Sequence, residues 1–566
     1  MEPIIEFKNF SFKYRSQKEP TLKDINLKIY PGEKVLIIGP SGSGKSTLAH
    51  CINGLVPFSY SGEITGEYTI AGKDPKKLDI FELSKSVGTV LQDTDGQFIG
   101  LTVAEDLAFA LENDEVPTKE LHERVDKIAK EVDVKNLLEH APTELSGGQK
   151  QRVSMGGVMI SDVDILLLDE PLANLDPATG KHTMELIDEI NKSKGTTIVV
   201  IEHRLEDALF RGADRIVVVG DGKIVSDSTP DELICKDILE EQGIREPLYV
   251  TAIKHAGGKL TEEMTPSRID TIDVSSVKEL VKSWHDKNAV FCEEEKGETI
   301  LEGKDIYFSY DGKEKVLENV NFSVSKGEML AIVGKNGAGK STLSSLICGF
   351  NKPTSGELLF RGKDMSDLSI AERGEKIGLV MQNPNHMISK PMIFDEVALG
   401  LSIRGIPEKE IKERVEKILR VCGLYPFRNW PISALSFGQK KRVTIASILV
   451  MDPEIMILDE PTAGQDYRHY TEIMNFLKDI NEKLGVTIIM ITHDMHLMLE
   501  YTKRALVLAD GKILADTTPA RVLTDETLSD KAYLKKTSLY DLAEMCDIED
   551  PTAFCETFIA FEQRER

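Results

Sequence analysis

Apolar runs without polar interruption mark the interior of this chain. Ile165-Leu166-Leu167-Leu168 and Ile455-Met456-Ile457-Leu458 are apolar at every position, and Thr196 to Ile201 and Thr487 to Ile491 read the same way. Side chains alternate between faces along a strand, so a continuous apolar run predicts a strand covered on both sides, as in a parallel sheet. Pro117 to Val132 and Pro407 to Val421 instead place apolar residues at helical spacing beside charged faces, which predicts amphipathic helices. Buried strands interleaved with such helices predict an α/β fold. No run reaches the roughly 18 apolar residues of a bilayer-spanning helix.

The pattern occurs twice. Lys34-Val35-Leu36-Ile37-Ile38 runs into Gly39-Pro40-Ser41-Gly42-Ser43-Gly44-Lys45-Ser46. Glu328-Met329-Leu330-Ala331-Ile332-Val333 runs into Gly334-Lys335-Asn336-Gly337-Ala338-Gly339-Lys340-Ser341. The two loop lysines are 295 positions apart, whereas Ser146 and Ser436, Asp169 and Asp459, and His203 and His493 are each separated by 290. A shared order at near-constant spacing marks a duplication, with five residues lost between the second loop and Gln382.

The chain is accordingly read as a first domain at 1–226, an acidic connector or small insert domain at 227–298, a second domain at 299–525 and a helical tail at 526–566. The connector shows helical patterns at Asp231 to Gln242 and Val274 to Lys287 around an irregular middle with Gly257-Gly258 and Pro266. It is not rich in Gly and Ser, so a folded insert or ordered strap is expected rather than a floppy tether. The tail reads as short helices packing back on the second domain.

Charge narrows the function. The 566 residues hold 69 Lys+Arg against 94 Asp+Glu, a formal charge of −25, which argues against nucleic acid as the main partner. With 41% hydrophobic and 29% charged residues the balance is that of a globular protein able to bury more than one core. Met1-Glu2-Pro3-Ile4-Ile5-Glu6 shows neither the basic nor the apolar segment of a signal peptide, so a cytosolic protein is expected. The seven cysteines, at 51, 235, 292, 348, 422, 546 and 555, form no CxxC pair, and neither a disulfide framework nor a zinc site is expected.

The Gly-rich loops carry the chemistry. GxxxxGK[ST] between a strand and a helix forms a phosphate cradle: the glycines let several N–H groups converge on anionic oxygens, and the helix start adds its dipole. Lys45 and Lys340 are placed to neutralise β- and γ-phosphates, and Ser46 and Ser341 to hold Mg²⁺. The apolar strands end in Asp169-Glu170 and Asp459-Glu460, where the aspartate can hold Mg²⁺ through its water shell and the glutamate can polarise an attacking water.

Leu145-Ser146-Gly147-Gly148-Gln149 discriminates further. With these motifs the chain resembles an ATP-binding cassette (ABC) ATPase with two nucleotide-binding domains in one polypeptide, over about 450 residues. The resemblance implies two P-loop NTPase domains, each a RecA-like mostly parallel sheet with an antiparallel β subdomain and a helical subdomain. It implies that the halves pair as a pseudo-heterodimer over two ATPs, each with Mg²⁺. ATP contacts are implied at Gly39, Ser41, Gly42, Gly44, Lys45, Ser46 and Thr47 in the first loop, and at Gly334, Asn336, Gly337, Gly339, Lys340, Ser341 and Thr342 in the second. Ser146 and Gly148, and Ser436 and Gly438, match the signature donors that reach the γ-phosphate on the opposite domain. Tyr14 and Tyr310 match the aromatic that stacks on adenine, or are exposed strand aromatics. Gln92 and Gln382 match the glutamine that contacts Mg²⁺ or water and senses the membrane partner. The metal set is then Ser46, Gln92 and Asp169 in one pocket and Ser341, Gln382 and Asp459 in the other. Catalytic roles fall to Glu170, Glu460, His203 and His493, with both glutamines. Asp176 and Asp466 match the loop that couples the sites, although Gln465 replaces the usual Leu before Asp466.

The second signature, Leu435-Ser436-Phe437-Gly438-Gln439, has Phe in place of the first glycine. This is either a tolerated variant or the mark of a slower pocket. The acidic connector, with nine basic against 17 acidic residues, opposes a translation-type ABC ATPase, and CxxC pairs or long coiled coils of a repair type are absent from the sequence.

Within transport, Gln92-Asp93-Thr94-Asp95-Gly96-Gln97-Phe98 resembles the QxxDxQF stretch of energy-coupling factor (ECF) ATPases. Leu435 to Arg442 and Thr462 to Tyr470 resemble the duplicated ATPase of the thiamine-precursor (hydroxymethylpyrimidine) branch. The resemblance implies an integral membrane coupling subunit, a small membrane substrate-binding subunit and a place at the cytoplasmic face of the cell membrane. Asp95, Glu105, Asp106, Asp395 and Glu396 are candidate receivers for arginines of the coupling subunit, or a solvated acidic face. Another ABC importer (of sugar or metal ion), an exporter, and a soluble translation-type ATPase stay open as alternatives.

Overall fold

The structure, a computed structural model, describes residues 2–173, 175–289 and 297–565. It forms two compact units: Met1–Trp284 with Gly464–Arg468 and Met545–Asp547, and His285–Ala463 with His469–Glu544 and Ile548–Arg566.

In the first unit the predicted buried strands lie side by side. The sheet order is Val87–Val90, Ile165–Asp169, Thr197–Ile201, Lys34–Ile38, Arg215–Gly220 and Lys223–Ser228. The first five are parallel, and Lys223–Ser228 closes the edge antiparallel to its neighbour. Residues 165–168 and 197–201 are fully buried, as uninterrupted apolar runs require. An antiparallel sheet of Leu22–Ile29, Ile5–Tyr14 and Gly62–Ile70 shares one core with the parallel sheet and the helix Lys45–Ile52. Phe7, Phe10 and Tyr68 interlock there, with ring centroids 4.9–5.4 Å apart.

A helical layer holds Val103–Asn113, Thr118–Glu131 and Gly147–Met159. Thr102 and Glu105 cap the first of these reciprocally. In the second, Val125, Ile128 and Ala129 form the buried stripe that the helical spacing predicted. The third crosses closely because residue 156 is glycine; a Cβ there would meet Leu107 at 2.9 Å.

The connector belongs to this unit as far as Trp284. The pattern at Asp231 to Gln242 is two short helices, Pro230–Ile234 and Ile238–Glu241, rather than one. Leu233, Ile234 and Leu239 are all buried, yet a continuous helix would spread them over roughly 240°; the break turns them inward together. Leu248–His255 forms a helix in the stretch before the glycines, and Lys278–Asn288 forms the second expected one. The buried Tyr249 hydroxyl donates to Pro266 O at 2.7 Å, and the Leu248 N–H donates to Glu206 at 3.0 Å. Residues 290–296, including Cys292, lie outside the described residues.

The second unit repeats the plan. Its mixed sheet runs Ile377–Val380, Ile455–Asp459, Thr487–Ile491, Met329–Val333, Arg504–Ala509 and Lys512–Thr517, the same order as the first. The antiparallel sheet is Leu317–Ser325, Thr299–Phe308, Ser355–Phe360 and Lys363–Asp364, and the helical layer is Ile393–Ile403, Glu408–Val421 and Phe437–Leu449. The tail ends in Pro551–Glu565, a helix of 15 residues and longer than the short helices expected. It packs back on this unit: Gln563 Nε2 donates to Glu500 O at 2.8 Å, and the Thr552 and Thr524 hydroxyls meet at 2.8 Å.

Candidate nucleotide site

The two Gly-rich turns have the predicted strand-to-helix setting. Gly39 and Gly334 sit where a Cβ would lie 2.1 Å from Val219 O and 1.9 Å from Leu508 O, so only glycine fits. Lys45 and Lys340 open helices Lys45–Ile52 and Lys340–Cys348, and both side chains are buried. Lys45 Nζ donates to Gly39 O (2.8 Å) and Pro40 O (2.9 Å); Lys340 Nζ donates to Gly334 O (2.7 Å) and Lys335 O (2.9 Å). Burial pushes the Lys45 ammonium down to about 8, against the pull of Glu170, Asp466 and Asp169. Each ammonium is thereby folded over the turn whose N–H groups form the cradle. Ser46 and Ser341 are exposed, while Thr47 and Thr342 are buried and bond the tyrosines: Tyr14 at 3.1 Å and Tyr310 at 3.2 Å. Tyr310 is 66% exposed.

At the strand ends, Glu170 and Glu460 take left-handed backbone angles, φ 51° and 44°. Such a conformation is costly for glutamate and persists only where neighbours hold it. The Glu170 N–H is tied to Ile201 O and the Glu460 N–H to Ile491 O, both at 2.9 Å. The sharp turn aims each carboxylate at its histidine. His203 Nε2 lies 2.9 Å from Glu170, and His493 Nδ1 lies 2.7 Å from Glu460. Gln92 Nε2 adds a bond to Glu170 at 2.5 Å, and Thr492 Oγ1 adds one to Glu460 at 3.2 Å.

Asp169 is pushed up to about 6, first by burial and then by Glu170 beside it, and Asp459 is raised by the same causes. The unfolded chain releases this proton near 3.8. The folded chain therefore binds it more tightly, stability falls as pH rises through the window between the two values, and the penalty is complete at neutral pH. Asp169→Asn is expected to raise the unfolding temperature of the nucleotide-free chain by about 3–6 °C near neutral pH, with the gain shrinking towards about pH 4.5. Equal gains at both pH values in a thermal melt would contradict this.

The signature residues each start a helix. Ser146 Oγ accepts the Gln149 N–H (3.4 Å) while Gln149 returns a bond to the Ser146 N–H (2.8 Å). Ser436 and Gln439 make the same pair at 3.3 and 3.0 Å. Phe437 is exposed and leaves this cap intact. Gly148 packs so tightly that a Cβ would meet Thr179 at 2.3 Å, whereas a Cβ at Gly438 would make only an ordinary 3.9 Å contact with His469. Asp176 caps its helix through the Thr179 N–H at 2.9 Å; within the first compact unit, which includes residues 464–468, the Ser41 N–H donates to Asp466 at 2.5 Å.

Of the candidate receivers for coupling arginines, Glu396 alone is buried, and four of the five make local bonds. Glu396 is buried and accepts the Ser389 and Lys390 N–H groups; Asp106 accepts those of Ile99 and Gly100; Glu105 caps its own helix; Asp95 pairs with Lys150 at 2.5 Å. Asp395 stays exposed.

Comparison with known proteins places this geometry. A family model described as ABC transporter matches residues 22–173 and 317–463. A protein of Clostridium perfringens (strain 13 / Type A), named as an ABC transporter ATP-binding protein, is 58% identical over 564 residues, covering 100% of this chain and 99% of its own. One of the same name from Enterococcus faecalis is 59% identical over 566 residues, with 100% and 99% covered. The chain belongs to the ABC transporter ATP-binding proteins. A second family model, described as ATP-binding cassette cobalt transporter, matches residues 236–308 of this ABC protein. Among solved structures, cbiO1 from Clostridium perfringens, part of the ABC transporter complex cbiONQ, is 37% identical across 41% of this chain and 94% of that one, with a TM-score of 0.39. This ABC ATPase thus carries duplicated ATPase domains, binds ATP and hydrolyses it as a transporter ATPase. Among its described residues no helix is long and apolar enough to cross a membrane.

Sequence reading of this ABC ATPase passed over Glu202. It is buried, and its carboxylate accepts the N–H groups of Leu172 (2.8 Å), His203 (2.8 Å) and Arg204 (3.1 Å), while Arg204 reaches back to Leu172 O. The loop bearing His203 is thereby clamped to the loop after Glu170. The second half has Thr492 at the matching position, so comparing the halves at the 290-residue offset would have exposed the difference.

Proposed function

We propose that this ABC ATPase energises an ECF-type importer from the cytoplasmic face of the cell membrane. Its partners are an integral membrane coupling subunit and a small membrane substrate-binding subunit. The carrying observation is the stretch at 236–308, matched by a model described as an ATP-binding cassette cobalt transporter, between the two segments matched by the ABC transporter model. The loop that resembles the ECF stretch is built for a fixed geometry: Gln97 accepts the Leu91 N–H at 3.1 Å and donates to Thr89 O at 3.0 Å, which sets Gln92 beside Glu170.

In this reading ATP lies on each Gly-rich turn, with Lys45 or Lys340 against its β- and γ-phosphates. Glu170 and Glu460 accept a proton from the attacking water, and His203 and His493 hold the carboxylate and the γ-phosphate in register. The oxygens of Ser46, Gln92 and Asp169, and of Ser341, Gln382 and Asp459, are hard donors of the kind Mg²⁺ takes, and the adjacent Asp169 and Glu170 carboxylates favour a cation. Bound Mg²⁺ would supply charge neutralisation on the phosphates. Ser436 and Gly438 complete the Glu170 pocket on closure, and Ser146 and Gly148 complete the Glu460 pocket. Closure depends on the γ-phosphate and is transmitted to the membrane subunits.

The cargo proposed is a vitamin precursor of the thiamine (hydroxymethylpyrimidine) type. The description of the insert's matching model favours a metal ion as the second reading. The test is affinity purification of the tagged chain from detergent-solubilised membranes, followed by reconstitution and ATP-dependent uptake of labelled hydroxymethylpyrimidine and Co²⁺. Two co-purifying membrane subunits and uptake of the pyrimidine are expected. Uptake of Co²⁺ alone moves the assignment to the second reading, and recovery with ribosomes in place of membrane proteins overturns the transport role.

A further inference from the structure

The halves hold their glutamine loops differently. In the first, the side chain of Gln97 locks the loop on both sides, and Lys150 pairs with Asp95. In the second, residue 97 corresponds to Met387, whose sulfur takes the Met381 N–H at 3.2 Å, and Asp95 corresponds to Asn385, which Lys440 meets at 3.3 Å. A thioether is a weak acceptor and a neutral amide a weaker partner than a carboxylate, so both anchors have lost strength.

Another side chain takes up the task. Lys441, on the signature helix Phe437–Leu449, is 1% exposed, and its ammonium donates to Met381 O and Gln382 O, both at 2.8 Å. Burying an ammonium is costly unless its N–H groups meet oxygens, and here the carbonyls of the glutamine and its neighbour provide them. The first half has Gln151 at the matching position, and Gln151 donates to Pro171 O, beyond Glu170, rather than to the glutamine loop.

We propose that Lys441 is a positioning residue that fixes Gln382 in the second pocket, replacing the anchors that the first half draws from Gln97 and Asp95. The proposal deepens the pocket reading above and rests on it. Ser436 is capped by Gln439 on its own helix turn, so loss of Lys441 should leave the signature cap in place. The defect should fall on the pocket of Gln382 and Glu460.

The experiment is single-turnover ATP hydrolysis by full-length Lys441→Gln and Lys441→Met, each in a Glu170→Gln and a Glu460→Gln background, with ATP affinity measured in parallel. With Glu170→Gln, which isolates the second pocket, the rate should fall about 10- to 100-fold while the dissociation constant stays within about twofold. With Glu460→Gln both should stay within about twofold of the parent. Hydrogen exchange should quicken in the peptide spanning 381–387 and not in that spanning 91–97. Equal losses in both backgrounds, no loss in either, or global unfolding of both variants overturns the proposal. The pocket reading itself fails by a different result: Glu460→Gln without effect in a chain that retains Lys441.

Discussion

A chain carrying both Glu170→Gln and Glu460→Gln is expected to hydrolyse ATP about 100-fold more slowly or worse, while still binding it. Each carboxylate sits at a strand end on a left-handed residue and is held by its histidine at 2.9 or 2.7 Å. Glutamine keeps the shape and hydrogen-bonding reach of the side chain but cannot accept the proton of the attacking water. The single variants separate the pockets in single-turnover assays. Glu460→Gln leaves the pocket that Ser436 and Phe437 are proposed to serve and is expected to be slower than Glu170→Gln. Equal rates would remove the asymmetry assigned to Phe437, in keeping with its intact cap; undiminished turnover by the double variant would remove the glutamates from the chemistry.

Lys45→Ala and Lys340→Ala are each expected to weaken ATP and ADP binding at their own pocket by about 10- to 100-fold and to leave AMP binding unchanged, since a charge-assisted contact to phosphate contributes about 1.5–3 kcal/mol. Titration of the three nucleotides by calorimetry tests this, and equal losses for AMP and ATP would sink it. Proton linkage supplies a second reading of the same residue. Burial lowers the Lys45 pKa to about 8, so the ammonium is intact below that value and is lost above it in the nucleotide-free chain. Phosphate restores the charge, and binding above about pH 8 must take up a proton. Affinity should fall as pH rises beyond about 8, and Lys45→Ala should abolish that fall at the first pocket.

What could be read along the chain was whatever depends on neighbours in sequence. The strands Ile165–Asp169 and Ile455–Asp459 and the helices Thr118–Glu131 and Glu408–Val421 lie within a residue or two of their apolar patterns, because burial on two faces or one imposes those patterns locally. The Gly-rich turns were legible for the same reason: a cradle of backbone N–H groups needs glycines at fixed short intervals. The connector was harder, because its helices are set by what they pack against, and Pro230–Ile234 and Ile238–Glu241 break where a continuous helix would leave apolar residues outside.

The sequence by itself therefore determined the duplicated α/β plan, the phosphate turns and the paired acids at the strand ends. Only the tertiary structure decided how each pocket is braced: Glu202 clamping the His203 loop, Gln97 and then Lys441 holding the two glutamine loops, and Glu396 and Asp106 capping their own turns instead of facing outward. Those contacts join residues far apart in the chain. A buried polar side chain takes whichever oxygen or N–H the fold brings within 3 Å or so, and no local pattern encodes that choice.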